Sequence, residues 1–521
     1  MWALPALLVA GLIVRLLFIG NEGFKTDVGT YTAWALELSS HSFATFYSKI
    51  GFADYPPGYF YILAVVGRLW QVFFGAHDPG YAVLRDLVKL PAILADLGVG
   101  ALLYAIVRRF ASTALALGSA ALYLLNPATI YVSAVWGQVD SISGGLALLA
   151  VYCLLRSDDD APQSRAHTVW IVGGWLAFAY SLLIKPQTAA VLLPLLVAFA
   201  FADPARRRAR VVATGIGMLA GIVLALLVTE PFHPGNPVAA FAWLFERYAY
   251  GTNVYAYNSV NAFNLWALRG TLWAPDNQSI LMLPQYVWGV VLVLAAVGLI
   301  VWRYLQDRSP AAFLEGCAIA TVGFFVLATR MHERYLFDGL VFTIACIPFA
   351  RRYVWGAFAL SIVLLANLLY SLEYLHVVTN NVAGLNAQNL WGPWTQLFSL
   401  IAIGTFFWLG YVYLGAGETS AGPQPAREAA GKPQDLRAEG AVRDWFDPRE
   451  GLAAMRAPLD YVIMAALGIG NFVLSFIGYW WPPDKVFDEI YFARAGEEYL
   501  QNLRIYENTH PPLSKLLITF S

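Results

Sequence analysis

Charge is what this chain has least of. Only 13% of its 521 residues are Asp, Glu, Lys or Arg, and they nearly cancel to a formal net charge of −1. A chain without a basic excess has no electrostatic footprint for nucleic-acid phosphates, so DNA and RNA are excluded as partners. Cysteine is scarce as well. Cys153, Cys317 and Cys346 each lie inside a hydrophobic run, which leaves neither a disulfide framework nor a CxxC metal pattern and reads as buried thiols. A signal-peptide cleavage pattern is missing too: the first apolar run, residues 3–20, lacks an A-x-A site and is too long for a signal core, so it reads as a retained first helix.

What the chain has is apolar length. Hydrophobic residues make up 59% of it, and the mean hydropathy is +0.57. Run after run reaches the roughly 20 residues a spanning helix requires. The fold class this predicts is an all-α polytopic membrane protein. Arginine clusters punctuate the runs at Arg108-Arg109, Arg206-Arg207-Arg208 with Arg210, Arg303 with Arg308, and Arg351-Arg352. The positive-inside rule puts them all in the cytoplasm only if the segment 57–87 starts and ends outside, as a re-entrant or paired helix. That arrangement gives about twelve crossings in residues 1–415. Residues 416–457, rich in Ala, Gly, Pro, Glu and Arg, read as a flexible cytoplasmic linker. Residues 458–521 then start a second module with one crossing and an outer loop. One helix and one loop do not make a polytopic domain, so the sequence reads as a fragment rather than as a degenerate second module.

With this orientation the unusual polar residues gather on the non-cytoplasmic side. Asp27 follows the first helix and opens an amphipathic interfacial helix through Tyr31, Trp34 and Leu38. Two readings stand for its carboxylate: a general base that takes a proton from an incoming hydroxyl, or a helix cap. Asp54-Tyr55-Pro56-Pro57 closes the loop, the prolines suiting a turn back into lipid and Asp54 and Tyr55 available to line a site. Trp136-Gly137-Gln138-Val139-Asp140 follows Asn126-Pro127; Gln138 and Asp140 offer hydrogen bonds suited to sugar hydroxyls, or form an ordinary helix turn. Lys185, Arg330 and Arg334 bring cations to the outer edge against the positive-inside trend. They read as ligands for a lipid phosphate, with His332 and Glu333 beside them, or as interfacial anchors. No second histidine accompanies His332, so no metal site is expected.

The first loop recurs near the far end of the chain. Phe487-Asp488-Glu489, Ile505-Tyr506 and His510-Pro511-Pro512-Leu513 repeat the order of Asp27, Phe46-Tyr47 and Asp54-Tyr55-Pro56-Pro57. A carboxylate at the head of a non-cytoplasmic loop suits a base acting on a lipid-linked substrate, which makes Asp27, Asp488 and Glu489 the catalytic candidates.

Assembled, these motifs resemble the C superfamily of membrane glycosyltransferases. Residues 1–415 are similar to prokaryotic mannosyltransferases related to the second mannosyltransferase of GPI-anchor assembly, on Asp27, Asp54-Tyr55-Pro56-Pro57, Asn126-Pro127 with Trp136 to Asp140, Lys185-Pro186 and His332-Glu333-Arg334-Tyr335. Residues 458–521 look like the start of a protein O-mannosyltransferase, on Phe487-Asp488-Glu489 and His510-Pro511-Pro512-Leu513-Ser514-Lys515. Asp27-Val28 stands where the carboxylate pair of that second family would be.

The resemblance implies a C-type helical bundle with amphipathic helices in its first outer loop. It also implies inverting transfer of a hexose, mannose first, from a polyprenyl-phosphate-linked sugar to the hydroxyl of an acceptor protein or glycan. Lys185, Arg330 and Arg334 would hold the donor phosphate, and Asp54, Tyr55, Gln138, Asp140, His332 and Glu333 would line the substrate. A phosphate ester leaves without a metal, so no cofactor is required and a divalent ion is an alternative. The bilayer is the remaining partner. The expected location is a prokaryotic cytoplasmic membrane with the site on its outer face, or the endoplasmic reticulum in a eukaryote. The rivals are transfer to a lipid-linked glycan and a multi-pass transporter or flippase without chemistry. Unusual residues at helix ends, rather than at the midplane, argue against transport.

Overall fold

The structure is a computed structural model. It describes residues 2–186, 190–379 and 391–415, with side chains omitted for 373–379. Asp488, Glu489, the linker 416–457 and the module 458–521 lie outside the described residues.

The described residues are mostly helical: α1 (Ala3–Phe18), α2 (Lys25–Ser40), α3 (Phe43–Lys49), α4 (Gly58–Phe73), α5 (Ala82–Leu87), α6 (Leu90–Phe110), α7 (Thr113–Leu124), α8 (Pro127–Ile130), α9 (Asp140–Ser157), α10 (Arg165–Ile184), α11 (Leu193–Ala202), α12 (Arg207–Thr229), α13 (Pro237–Val254), α14 (Gln285–Asp307), α15 (Pro310–Leu327), α16 (Phe337–Ala345), α17 (Arg352–Thr379) and α18 (Pro393–Gly415). A two-stranded hairpin, β1 (Ser279–Ile280) with β2 (Leu283–Pro284), interrupts them. Local sequence sets many of the starts. Ser309 and Asn236 each accept a bond from a first-turn N–H, and a proline follows at the first helical position, where its missing donor costs nothing.

Among the described residues, seven helical segments are long and apolar enough to cross a bilayer. They are 82–110, 165–184, 207–229, 285–307, 310–327, 352–372 and 393–415. The pair Thr113–Leu124 and Pro127–Trp136, bent by 46°, makes an eighth if it is one span. The shorter apolar helices are α1, α4 and α11. The bundle packs α10 between α9 and α12, α6 against α1, α7 and α9, and α15 against α14, α16 and α18. The structure is thus an all-α polytopic membrane protein.

Two features position the site. First, α2, α3 and α4 form a separate aromatic cluster, with Tyr31, Trp34, Phe46, Tyr59 and Phe60 buried together against Phe232. The segment carrying α4 and α5 leaves and rejoins one end of the bundle. The Gly58 carbonyl accepts from the Tyr180 hydroxyl at 3.1 Å near the end of α10, and Lys89, past α5, donates to the Ile19 carbonyl at 3.0 Å at the end of α1. Second, Asn126-Pro127 breaks the span after α7. Asn126 caps the new start, and the chain winds through a π-helical turn, Tyr131–Trp136, that ends on Gly137 at φ 90°. Glycine reaches that left-handed region without strain. π-Turns of this kind commonly accompany functional sites.

Candidate active site

The π turn delivers Trp136 and Gln138 to Asp27. Oδ2 of Asp27 accepts from Trp136 Nε1 at 2.8 Å and from Gln138 Nε2. Oδ1 has no hydrogen-bond partner among the described residues. Asp27 stands three positions into α2, whose N-cap is Phe24 with no side-chain capping bond. The carboxylate is therefore turned away from its own helix, towards residues more than 100 positions along the chain. The approach is close: a Cβ on Gly23, which has φ 66°, would meet the Trp136 carbonyl at 2.7 Å.

A second layer fixes the glutamine. Gln138 Oε1 accepts from the Tyr31 hydroxyl at 3.1 Å and from Tyr55 at 3.4 Å, and the two hydroxyls are 2.9 Å apart. With its oxygen engaged by the tyrosines, the amide presents its nitrogen to Asp27. This arrangement fixes the flip of a side chain whose two ends look alike. Tyr31 was legible in the sequence only as one face of a helix; its part in this layer depends on Gln138.

Next along, α9 opens on Asp140, whose Oδ1 pairs with Lys185 Nζ at 2.5 Å at the end of α10. Arg334 approaches from the loop between α15 and α16, with Nε 3.8 Å from Asp140 Oδ2 and Nη1 2.5 Å from Glu333 Oε1. The Tyr335 ring lies beneath both cations, 5.0 Å from the Lys185 ammonium and 5.7 Å from the Arg334 guanidinium. Asp140 Oδ2 and Arg334 Nε are buried without hydrogen-bond partners among the described residues.

Burial sets the electrostatics. It raises the Asp54 carboxyl to about 6 and raises Glu333, with Arg334 opposing. It lowers Lys185 against the pull of Asp140. Burial together with Arg334 and Lys185 pushes His332 well below its usual range, so the imidazole is neutral at pH 7. The Asp27 charge reaches Glu333 and Arg334, so the carboxylate and the cations share one electrostatic environment.

Of the residues expected at a site, the structure brings Asp27, Tyr55, Gln138, Asp140, Lys185, Glu333 and Arg334 into this chain of contacts. Asp54 sits on the loop that α13 covers, its carbonyl 3.0 Å from where a Gly251 Cβ would be. His332 is held by its backbone against Val260 and Asn261, its ring 4.6 Å from Tyr255 and 5.0 Å from Tyr335. Arg330 turns elsewhere. At φ 62° it pairs with Asp276 at 2.6 Å and donates to Asn253 Oδ1 at 2.9 Å, which ties the 252–276 loop down. Sequence reading missed Asp276, and it also missed Asp338, whose carboxylate packs on Gly144 beside Lys185. Among the described residues, no three His, Cys, Asp or Glu side chains stand where they could share a metal ion.

Residues 54–234 match the family model of dolichyl-phosphate-mannose-protein mannosyltransferases. The matched stretch contains Asp54, Tyr55, the Trp136–Asp140 turn and Lys185. Over these residues the chain is similar to dolichyl-phosphate-mannose-protein mannosyltransferases. The chain is also 31% identical over 84 residues to dolichyl-phosphate-mannose–protein mannosyltransferase 1 of Saccharomyces cerevisiae, across 15% of this chain and 10% of that protein. The chain thus spans only about a tenth of the length of the curated relative it matches.

Proposed function

We propose that this mannosyltransferase-like chain moves a hexose, mannose in the first instance, from a polyprenyl-phosphate donor to an acceptor hydroxyl with inversion. Asp27 Oδ1 takes the proton of the acceptor hydroxyl. The acceptor oxygen bonds to C1 of the sugar from one face while the bond from C1 to the phosphate oxygen breaks on the other. Lys185 and Arg334 bear on the charge of the departing phosphate, where fixed cations stabilise the transition state more than the ground state. Trp136 and Gln138 aim the carboxylate. The observation that carries this reading is the Asp27 carboxylate with one oxygen fixed by two donors and the other unengaged among the described residues, beside buried cations.

A protein hydroxyl is the acceptor named by the matched family, and it is the acceptor we propose. Residues 1–415 form the working module on this reading, with Asp488 and Glu489 of 458–521 opening a related one behind the linker 416–457. The reaction needs no metal and takes place on the outer face of a prokaryotic cytoplasmic membrane, or in the lumen of the endoplasmic reticulum in a eukaryote.

The test is to incubate the purified chain with polyprenyl-phosphate-[14C]mannose and an acceptor peptide rich in Ser and Thr. The expected result is label moving from lipid to peptide with wild type and staying on the lipid with Asp27→Asn. Label moving to a lipid-linked glycan instead would replace the acceptor. Label that never leaves its lipid, with wild type, would end the enzymatic reading.

A further inference from the structure

Tyr255, the residue that ends α13, stands among the charges of the active site without bonding any of them. Its hydroxyl has no hydrogen-bond partner among the described residues. Yet the charges of Asp54, Arg334, Asp27 and Glu333 all reach it. Burial first, and then the Asp54 charge, push that hydroxyl up to about 12, so at neutral pH it stays a protonated donor. Asp54 is alike in this respect: its carboxylate bonds no other side chain among the described residues. The backbone brings the two to one wall. Gly251 of α13 packs on the Asp54 carbonyl, and Tyr255 follows about one helical turn later.

Two rings brace Tyr255 edge-on, His332 at 4.6 Å and 86° and Trp273 at 6.3 Å and 73°. Neither stacks flat over it, and Tyr255 is only half-buried, so ring surface remains for a ligand. The brace is strained. Trp273 adopts φ 59°, a region that bulky residues avoid, and Asn261, at φ 64°, accepts from its indole N–H at 2.7 Å. The backbone of the same Asn261 bridges to His332. Strained backbone that its surroundings hold in place gathers at ligand sites.

In the proposed transfer, the hexose lies between the base that activates the acceptor and the cations that hold the phosphate. Tyr255 feels both ends of that gap, Asp27 and Arg334. A hexose offers two kinds of surface. Its C–H face is slightly positive and settles on the negative face of an aromatic ring, and its hydroxyls donate to carboxylates. A half-exposed ring beside an unbonded carboxylate fits both.

We propose that Tyr255 and Asp54 form the wall that binds the hexose of the donor, the ring against its C–H face and the carboxylate on its hydroxyls. This assignment rests on the transfer reading but concerns the sugar alone; Lys185 and Arg334 keep the phosphate.

The experiment compares two lipids on the purified full chain by filter binding: polyprenyl-phosphate-mannose and bare polyprenyl phosphate. Tyr255→Ala should weaken the mannosyl lipid about tenfold and leave the bare lipid unchanged, with an unchanged melting temperature. Tyr255→Phe, which keeps the ring, should retain most of the affinity. Asp54→Ala should likewise weaken the mannosyl lipid and leave the bare lipid no weaker. Phe245→Ala, an exposed ring elsewhere on α13, should change neither. Equal loss of both lipids with Tyr255→Ala would make Tyr255 a prop for the His332–Arg334 turn and overturn the sugar wall. Unchanged affinity for the mannosyl lipid in either alanine variant would overturn it as well. The transfer reading is scored separately, by whether wild type moves label to the peptide. Normal transfer without a mannosyl-selective loss refutes the wall alone. A selective loss in a chain that transfers nothing upholds the wall and ends the enzymatic reading.

Discussion

Two buried charge clusters in this bundle use the same kinds of residue to opposite ends. In the first, Arg15 of α1 pairs with Asp96 of α6 at 2.6 Å, both side chains fully buried. The guanidinium also reaches the Leu124 carbonyl at 2.7 Å, Gly11 at 3.2 Å and Thr129 at 3.2 Å. The carboxylate accepts from Tyr123 on one oxygen and Ser133 on the other. In the second, Asp140, Lys185, Arg334 and Glu333 are nearly as deeply buried, yet Asp140 Oδ2 and Arg334 Nε lack hydrogen-bond partners among the described residues. The closed cluster joins α1, α6, α7 and the π turn, and has nothing left to offer a ligand. The open cluster keeps a donor and an acceptor unengaged at a cost of about 1–3 kcal/mol each. A bound phosphate would supply acceptors, and a sugar hydroxyl would supply a donor. Unsatisfied polar atoms in an otherwise well-bonded interior call for a functional explanation.

The sharpest break of that comparison is at Asp27, which stands between the two clusters through the π turn. Asp27→Asn keeps size and polarity but loses the capacity to take a proton, so turnover should fall by roughly 100- to 10,000-fold, with donor binding and folded yield unchanged. Near-normal sugar transfer by that variant would leave Asp27 a structural hydrogen-bond acceptor.

The next largest effect is on stability, at the closed cluster. Asp96→Ala strands a buried guanidinium and should destabilise the protein by about 3–5 kcal/mol, read as lost yield and a lowered melting temperature in detergent. Replacing both partners, Arg15→Leu with Asp96→Leu, should recover most of that loss, because no charge is left unpaired. If the single and double variants melt alike, the pair is not what holds α1 to α6.

At the open cluster the same kind of change should act on binding. Arg334→Ala should weaken donor affinity by roughly 10- to 100-fold, the worth of a charge-assisted bond, and Arg334→Lys should recover only part of it for want of the planar fork. Calorimetry or filter binding with the donor lipid reads this directly. Loss of stability without loss of affinity would make the open cluster another strut.

The smallest effect is one of pH. Burial raises Asp54 to about 6 from its ordinary carboxylate value, so between about pH 4 and 6 the folded protein binds more protons at this position than the unfolded chain. Stability therefore falls as pH rises through that window. The melting temperature of wild type should drop from pH 4 to pH 7 relative to Asp54→Asn, in which the position does not titrate. Parallel pH profiles would mean that Asp54 is solvated.

Some of this was legible in the residues themselves. The runs around 90–110, 207–229 and 285–307 announce their helices by length and composition alone. The loop motifs at Asp27, Trp136–Asp140, Lys185 and Arg334 stand out because polar residues at the ends of apolar runs are rare. Arg15 was passed over inside the first run, because nothing adjacent in sequence shows that Asp96 neutralises it. Arg330 and Arg334, four positions apart, looked like one cationic patch. The chain turns at Arg330, and Asp276 draws that guanidinium away.

The sequence by itself determined that this is a membrane-spanning helical protein, because each helix's need for lipid is written in its own consecutive residues. It did not determine what Asp27 does. A carboxylate three positions into a helix suits capping as well as catalysis, and nothing near it in sequence shows its actual partners, Trp136 and Gln138, which bond it from 109 and 111 residues away. Only the tertiary structure brings those donors to it. It does so through a π turn and a glycine at positive φ, whose geometry arises from the packing of helices distant in the chain.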